Sequence, residues 1–316
     1  MIKARLFFFT ILLLLTHSTF SQEITCFISS RQQQQSLGLV MAQEKGIYKK
    51  FGLHVTFVVG SKNIAYSYLA KKKVMFAPLL LPTAIKLYSS KEPIVNVAQI
   101  LNSSSFMVVA KKSSGIKSIK DLNNKKIGVF GGEQQVVCDA FIKYYNLNVT
   151  QIPRGNSVNL LLMDCVEALI VRSYDDFHYI INSGIDSTSL TAFYFKDSPL
   201  NFPEDGLYCL EKTYKSNPEL CRKFIRATLE GWKFAADNPS ETIECVMRYV
   251  KTKNVTMNHS QMKWIVNSLR GLVNRDKNNN ITGQLLQSDY DRTAQFLQKL
   301  GLVKQTPQFT SINRSN

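Results

Sequence analysis

Two short segments carry groups suited to holding a small polar or charged molecule. Gly131-Gly132 joins a buried apolar strand to a helix, and the free N–H groups of a helix N-terminus can bind an anion or a polar ligand edge. Arg172 ends another apolar strand, where its guanidinium can make bidentate contacts with an anion. An ordinary turn and a surface ion pair are the alternative interpretations. Both segments indicate binding rather than catalysis.

The patterns of common hydrolases are missing from the sequence. It contains no Gly-x-Ser-x-Gly, no His-Glu-x-x-His and no Cys-x-x-Cys or Cys/His cluster of the kind that holds zinc. We therefore expect no catalytic residue, no metal and no cofactor, and the protein is not expected to be an enzyme.

The order of apolar segments predicts the architecture that positions these residues. The first two thirds of the chain alternate strands with helices, including strands at Ile94–Leu101 and Lys126–Phe130, and this alternation favours parallel, doubly wound sheets. The last third is predicted to be helical, with start signals at Asn217-Pro218 and Asn238-Pro239.

The N-terminus has the pattern of a secretory leader. Lys3 and Arg5 precede an apolar run at residues 6–15, and small residues at Thr19 and Ser21 precede a cleavage point before Gln22. The run is too short to span a bilayer comfortably. We expect a cleaved signal peptide at residues 1–21 and a periplasmic mature protein.

The charge and the cysteines limit the function classes further. The formal charge is +16, and loss of Lys3 and Arg5 with the leader leaves +14. The lysines are scattered in ones to threes without a basic-aromatic ribbon, so no nucleic-acid partner is expected. Six cysteines in an oxidising compartment permit disulfides. Cys209 and Cys221 are the nearest plausible pair, but whether any disulfide forms is left open.

Four segments, in order, carry a resemblance to a known family. They are the helix and turn at residues 33–55 with AQEKGIYKKFGLHV, the strands and turn at residues 94–122, YDDFH with NSGID at residues 174–186, and NFPEDGLYC with LEGWKFA at residues 201–235. Together they resemble the nitrate/sulfonate/taurine and thiamine-pyrimidine branch of the ABC-transporter substrate-binding proteins. That branch is related to the fungal thiamine-pyrimidine synthases.

The resemblance implies the type II periplasmic binding protein fold, in which two doubly wound α/β lobes joined by two crossover strands close on a solute. It predicts lobe I at residues 22–104 with 207–302, lobe II at residues 105–206 and a C-terminal tail at residues 303–316. The ligand-binding residues expected from it and from the motifs above are Gln33, Gln35, Ser104, Ser105, Gly131, Gly132, Arg172, Tyr174 and Asp176. An exposed glutamine run and simple hinge flexibility are the alternatives for the glutamines and serines.

The sequence departs from this family at aromatic positions. Ser30 and Ser36 stand where the pyrimidine-binding members have aromatic residues, and Arg172-Ser173 replaces a common Met-Trp. Flat heterocycles are held largely by aromatic stacking. Arg31 and Arg172 instead favour an anionic solute.

The resulting hypothesis is an extracytoplasmic binding protein that captures a small polar or anionic solute, such as a thiamine-pyrimidine precursor or a sulfonate, for an ABC importer. Its expected partners are the solute and the importer permease, and a monomer is expected. A sensory binding protein for a receptor or histidine kinase and a pyrimidine-forming enzyme are the alternatives. The identity of the ligand and the choice between transport and sensing stay open.

Overall fold

The computed structural model describes residues 22–29, 36–60, 64–88, 93–155, 157–252 and 257–315. The predicted signal peptide lies outside these residues. The strands within them are β1 (Gln22–Ser29), β2 (Leu53–Gly60), β3 (Ala77–Leu79), β4 (Ile94–Leu101), β5 (Phe106–Lys111), β6 (Lys126–Phe130), β7 (Thr150–Arg154), β8 (Ala168–Arg172), β9 (Leu190–Tyr194) and β10 (Glu204–Leu210).

The first sheet is built from β1 to β4 together with β10. β1 and β2 are parallel, and β10 lies between β3 and β4, antiparallel to both. A parallel bridge between Cys26 and Phe76 connects the two groups of strands. The strand order is therefore β2-β1-β3-β10-β4.

The second sheet contains β5 to β9 in the order β7-β6-β8-β5-β9. β6 is parallel to β7 and β8, whereas β5 is antiparallel to β8 and β9. β5 is the first strand after the chain leaves the first sheet, and β10 is the first strand after the chain returns. Each occupies the fourth place in its sheet, so the two sheets have the same topology.

The chain passes between the sheets twice, at residues 102–105 and at residues 195–203. This is the predicted fold class: two doubly wound α/β halves connected by two crossings. The bounds given above for the two lobes stay a prediction. The segment expected to be a tail packs against the first sheet, since Arg314 N–H donates to the carbonyl oxygen of Asn96 at 2.7 Å.

Helices flank the sheets and fill the last third of the chain, as predicted. They are α1 (Leu37–Glu44), α2 (Ile47–Lys50), α3 (Ala65–Ala70), α4 (Leu81–Leu87), α5 (Gln135–Tyr144), α6 (Asn159–Leu162), α7 (Asp176–Asn182), α8 (Glu211–Ser216), α9 (Pro218–Asp237), α10 (Pro239–Thr252), α11 (His259–Leu272), α12 (Gln287–Lys299) and α13 (Phe309–Ile312). Among the described helices, none is both long and apolar enough to cross a membrane.

Helices α1 and α9 approach each other closely because glycines face each other at their contact. A Cβ atom placed on Gly231 would lie 2.2 Å from the carbonyl oxygen of Gly38, and one placed on Gly38 would overlap the indole ring of Trp232. Trp232 is buried in the core of the first half, as its place on an apolar helical stripe predicts. This packing fixes α1, which directly follows the candidate residues Gln33 and Gln35 in the chain.

Buried tyrosines make the fold sensitive to alkaline pH. Burial raises the pKa of Tyr174 and Tyr208 above the ordinary value of 10.0 and that of Tyr249 to about 12. In the unfolded chain these phenols lose protons at lower pH, so their contribution to stability is complete below about pH 10 and is lost as the pH rises through the folded pKa values. We expect the urea midpoint to fall between about pH 9 and pH 11, and to fall less in Tyr208→Phe. Equal midpoints at both pH values would contradict this expectation.

Candidate functional site

Glu204 fixes the point where the two crossings meet. It is the first residue of β10, and its buried carboxylate accepts hydrogen bonds from two serines of the other crossing. Ser105 donates its N–H to Oε1 at 2.6 Å and its hydroxyl to Oε2 at 2.7 Å, and the Ser104 hydroxyl donates to Oε1 at 2.9 Å. Hydrogen bonds to a charged acceptor are roughly twice as strong as neutral ones. Ser104 and Ser105 are therefore held by a carboxylate at the junction of the halves.

Arg172, the last residue of β8, lies against this junction. Its side chain is 0% exposed, and Nη1 lies 3.7 Å from a carboxylate oxygen of Glu204 and 3.7 Å from one of Asp205. Nη1 also donates to the Tyr174 hydroxyl, and Nη2 donates to Gln134 Oε1 at 3.1 Å. A guanidinium this deeply buried is tolerated only because its charge is paired. The side chain proposed to face a ligand is thus bonded to protein groups on several sides.

A second ion pair extends the cluster. Asp176, the first residue of α7, accepts a hydrogen bond from the Arg172 N–H at 3.0 Å, and its Oδ2 lies 2.9 Å from Arg154 Nη2. Both side chains of this pair are almost completely buried. The Arg154 guanidinium lies 4.2 Å from the ring centre of Phe130, at a distance typical of cation–π contacts. The ends of β7 and β8 are thereby joined to the start of α7.

The buried charges change each other's proton affinity. Burial raises the pKa of the Glu204 carboxyl above its ordinary value, and the positive charge of Arg172 opposes this rise without cancelling it. For Arg172, burial lowers the pKa, but the neighbouring Tyr174, Glu204 and Asp205 groups raise it by more, so the net pKa shift is upward. Arg172 therefore stays cationic, while Glu204 binds a proton more readily than an exposed glutamate.

We define the hinge cluster as these buried residues: Ser104, Ser105, Gln134, Arg154, Arg172, Tyr174, Asp176, Glu204 and Asp205. It contains three carboxyl groups and two guanidiniums, and both guanidiniums already have carboxylate partners. An anion placed here would add to the negative charge. The acidic groups of the cluster thus outnumber its basic groups by one.

The structure brings together five of the nine residues predicted to bind ligand: Ser104, Ser105, Arg172, Tyr174 and Asp176 all belong to the hinge cluster. Gly131 and Gly132 lie nearby, on the turn that connects β6 to Gln134 and α5. A Cβ atom on Gly131 would meet no atom within 4 Å, so this turn borders open space. Gln33 and Gln35 lie outside the described residues. The role of all nine in binding stays a prediction.

Sequence reasoning assigned no binding role to Glu204, Arg154 or Gln134. Glu204 stands in the Pro-Glu-Asp-Gly segment, directly after the second crossing. Its neighbour Asp205 has φ 47°, in the left-handed region that residues with a Cβ atom seldom adopt. Such strain concentrates at functional sites. The sequence signal for this position is the pair of acidic residues, Glu204 and Asp205, directly before a glycine.

The two halves also touch on both sides of the hinge cluster. On one side, the Tyr66 N–H donates to Glu133 Oε1 at 2.9 Å, and the Thr83 hydroxyl donates to the carbonyl oxygen of Glu133 at 2.5 Å. Tyr66 and Thr83 belong to helices of the first half, whereas Glu133 precedes α5 of the second. These hydrogen bonds hold the halves together along one edge.

On the other side, α11 of the first half packs against α7 of the second. The Trp264 Nε1–H donates to the carbonyl oxygen of Ser173 at 3.0 Å, and the Trp264 ring lies 4.9 Å from the ring of His178. The Gln261 side chain contacts His178 Nδ1 and donates to the carbonyl oxygen of Asp175 at 3.3 Å. His178 is thus a packed, hydrogen-bonded residue at the seam.

A surface groove of about 490 Å³ follows this seam and is lined by His178, Ser260, Lys263, Trp264, Asn267 and Ser268. Across the described part of the chain, no three His, Cys, Asp or Glu side chains are grouped so as to hold a metal ion.

The fold and the hinge cluster together define a class: a two-lobe α/β protein of the periplasmic binding type, with a polar junction between its lobes. The family comparison agrees. Residues 33–242 match the model of the family described as NMT1/THI5 like, which is more than half of the chain. The chain belongs to this family.

Individual relatives match this chain at low identity. A putative thiamine biosynthesis protein of Haemophilus influenzae is 22% identical over 95% of this chain and 94% of its own length. Riboflavin-binding protein RibY of Chloroflexus aurantiacus is 24% identical over 72% of this chain and 67% of its own. The alkanesulfonate-binding protein SsuA of Xanthomonas axonopodis bound to MOPS has a TM-score of 0.71 at 9% identity, with 93% of this chain and 98% of that chain covered.

Proposed function

We propose that this protein is an extracytoplasmic solute-binding protein that captures one small molecule between its lobes for an ABC importer. The observation that carries the proposal is the hinge cluster, in which Glu204 of one crossing binds Ser104 and Ser105 of the other. A polar junction shared by two lobes can contact a solute from both halves at once and bury most of its surface. The names of two relatives, a riboflavin-binding protein and an alkanesulfonate-binding protein, support the proposal.

We propose further that the solute is a neutral or cationic heterocycle with N–H donors, such as an aminopyrimidine precursor of thiamine, rather than a sulfonate. The charge balance of the hinge cluster supports this choice, because Arg172 is neutralised by Glu204 and Asp205. The thiamine-related name of the Haemophilus relative points in the same direction. The aromatic positions lost from the sequence argue that hydrogen bonds, more than stacking, hold this ligand.

A ligand screen tests whether the solute is such a heterocycle or a sulfonate. A molecule that binds only the folded state raises the melting temperature, by about 4 °C when its concentration is 100 times the dissociation constant. We expect 4-amino-5-hydroxymethyl-2-methylpyrimidine to raise it, and taurine at the same concentration to leave it unchanged. Riboflavin is included because of the RibY relative. A shift with taurine alone would overturn the ligand class, and no shift with any of the three would argue against all three classes.

Tryptophan fluorescence can test whether the lobes close on the ligand. Trp264 spans the seam between the lobes, whereas Trp232 lies in the core of one lobe. A ligand that changes the distance between the lobes should change the fluorescence of Trp264. We expect the change in the wild type and in Trp232→Phe, and its loss in Trp264→Phe. An unaltered signal change in Trp264→Phe would mean that the seam does not respond to the ligand.

The pyrimidine-forming enzyme is a second candidate because the Haemophilus relative is named for thiamine biosynthesis. The two functions make different predictions about the fate of the small molecule. A binding protein returns its ligand unchanged after incubation and denaturation, whereas an enzyme yields a new product. Mass spectrometry of the released small molecules distinguishes these results.

A further inference from the structure

Another cavity lies where the C-terminal ends of α9 and α11 meet the first crossing. Its volume of about 550 Å³ is within the range of small-molecule sites. Its polar lining comes from both helices, from the turn after α11 and from the crossing, and it includes Asn102, Asp237, Arg270, Arg275 and Asn279. None of these residues belongs to the hinge cluster, so the cavity is a separate feature of the molecule.

Arg270, in the last turn of α11, is fixed by one edge of its guanidinium. Its Nε–H donates to the carbonyl oxygen of Ala236 at 2.6 Å, close to the end of α9. That carbonyl belongs to the negative end of the α9 dipole, which a cation stabilises. The Arg270 side chain makes no other hydrogen bond to the described residues, so both of its Nη groups can donate to a molecule in the cavity.

Arg275 is fixed by the turn that follows α11. Its Nη1 donates to the carbonyl oxygen of Asn279 at 2.9 Å and to the side-chain oxygen of the same residue at 3.1 Å. A bridge between Arg275 and Ile281 closes this turn, and the Arg275 side chain is only 19% exposed. A guanidinium that is already held in one orientation loses little conformational freedom when an anion binds to it.

Positive charge exceeds negative charge around the cavity. Asp237 is the acidic residue of the lining among the described residues. One of its oxygens lies 2.5 Å from Lys233 Nζ, and the other lies 3.9 Å from Arg275 Nη2. Three cationic side chains, Lys233, Arg270 and Arg275, are therefore balanced by one carboxylate. The ends of α9 and α11 add about half a negative charge each, which leaves a surplus of about one positive charge.

We propose that this cavity binds a phosphate group through Arg270 and Arg275. Arginine forms bidentate hydrogen bonds with phosphate oxygens, and the cavity presents two guanidiniums that are each fixed by a backbone carbonyl. A free phosphate ion and the headgroup of an anionic phospholipid both carry this group. Binding here does not depend on the proposed capture of a solute between the lobes, because the residues of the two sites are different.

The phosphate site is connected to the first crossing. Asn102, the first residue of that crossing, lies in the cavity wall and donates to Asn274 Oδ1 at 3.3 Å. The Asn274 N–H donates to the carbonyl oxygen of Ile100 at 2.8 Å, and Val273 forms a bridge with Leu101. A phosphate held by the two arginines therefore lies against the segment that joins the two halves.

Isothermal titration calorimetry of the full chain with inorganic phosphate tests the site. We expect saturable binding with a dissociation constant of about 1 mM or lower. The affinity should fall about tenfold or more in Arg270→Gln and in Arg275→Gln, because each variant loses hydrogen bonds to a charged group. Arg222→Gln removes the same charge from an exposed position on α9 and should bind phosphate as the wild type does. Equal affinity in all four proteins would overturn the proposal.

Gly271→Leu separates the space in the cavity from its charge. Gly271 also lines the cavity, and a Cβ atom placed there meets nothing within 4 Å, so a side chain can begin there without overlap. The leucine takes up part of the cavity while both arginines stay in place, and it should weaken phosphate binding. Wild-type affinity in this variant would place the phosphate elsewhere on the protein and contradict the site.

Vesicles distinguish the two sources of the phosphate group. The wild type and the same variants are floated with vesicles of phosphatidylglycerol and phosphatidylcholine. Flotation that Arg270→Gln and Arg275→Gln both abolish, without binding of inorganic phosphate, would assign the site to a lipid headgroup. Binding of inorganic phosphate without flotation would assign it to a free anion, and binding of neither probe would overturn the proposal.

Discussion

Replacing Arg172 with alanine is expected to lower the free energy of unfolding by about 3–5 kcal/mol, the usual effect of removing one partner of a buried ion pair. The guanidinium is completely buried and lies 3.7 Å from both Glu204 and Asp205. Without it, these carboxylates would be left in a buried site without their positive partner. Urea denaturation followed by circular dichroism measures the loss.

Two further variants give this prediction its controls. Arg172→Met combined with Glu204→Gln removes the guanidinium and one of its two carboxylates. It should recover part of the lost stability, since one buried carboxylate instead of two is left without a positive partner. Arg222→Ala removes an exposed arginine paired with Glu219 on α9 and should change stability little. Equal, small losses for Arg172→Ala and Arg222→Ala would show that the hinge cluster is not a paired, buried network.

The second large effect is expected at the contact between α1 and α9. Gly231→Ala places a Cβ atom 2.2 Å from the carbonyl oxygen of Gly38 and 2.8 Å from the Ala42 nitrogen. Backbone atoms cannot move aside as a flexible side chain can, so the two helices must separate. We expect a loss of about 1–3 kcal/mol or more, as in other overpacked cores. Thermal unfolding of the variant measures it.

Gly271 provides the matched control for this substitution. It also lies in a helix, α11, but a Cβ atom placed there would meet nothing within 4 Å. Gly271→Ala should therefore stabilise the protein by up to about 1 kcal/mol, because alanine restricts the unfolded chain and favours helix. The same change at two helical positions is thus expected to have opposite signs. Stabilisation by both substitutions would mean that α1 and α9 are not closely packed.

The elements of the fold were predictable because their signals are local. β4 and β6 have the bounds that their apolar runs predict, and α9 and α10 begin at the two Asn-Pro pairs. Each of these signals depends on a few neighbouring residues. The chain leaves the first sheet for β5 and returns to it at β10, and these two crossings depend on contacts between residues far apart in the sequence. They were expected only from the family resemblance.

The sequence predicted several residues of the hinge cluster, but it did not predict the ion pairs and hydrogen bonds between them. Arg172 was expected at the end of a strand, and it is the last residue of β8. Its partners Glu204 and Asp205 are more than thirty positions away in the chain, on a strand of the other sheet. Nothing in the local sequence of Arg172 shows that these carboxylates reach it. An exposed cation therefore could not be distinguished from a buried and neutralised one before the two crossings were placed.

The most direct test of the account is native mass spectrometry of the protein purified from the periplasmic fraction of the cells that produce it. The account predicts a complex with one small molecule per chain, which dissociates unchanged on denaturation and is neutral or cationic in solution. A protein that carries no small molecule, and that also fails to bind any of the three compounds in the screen, would contradict capture of such a solute between the lobes.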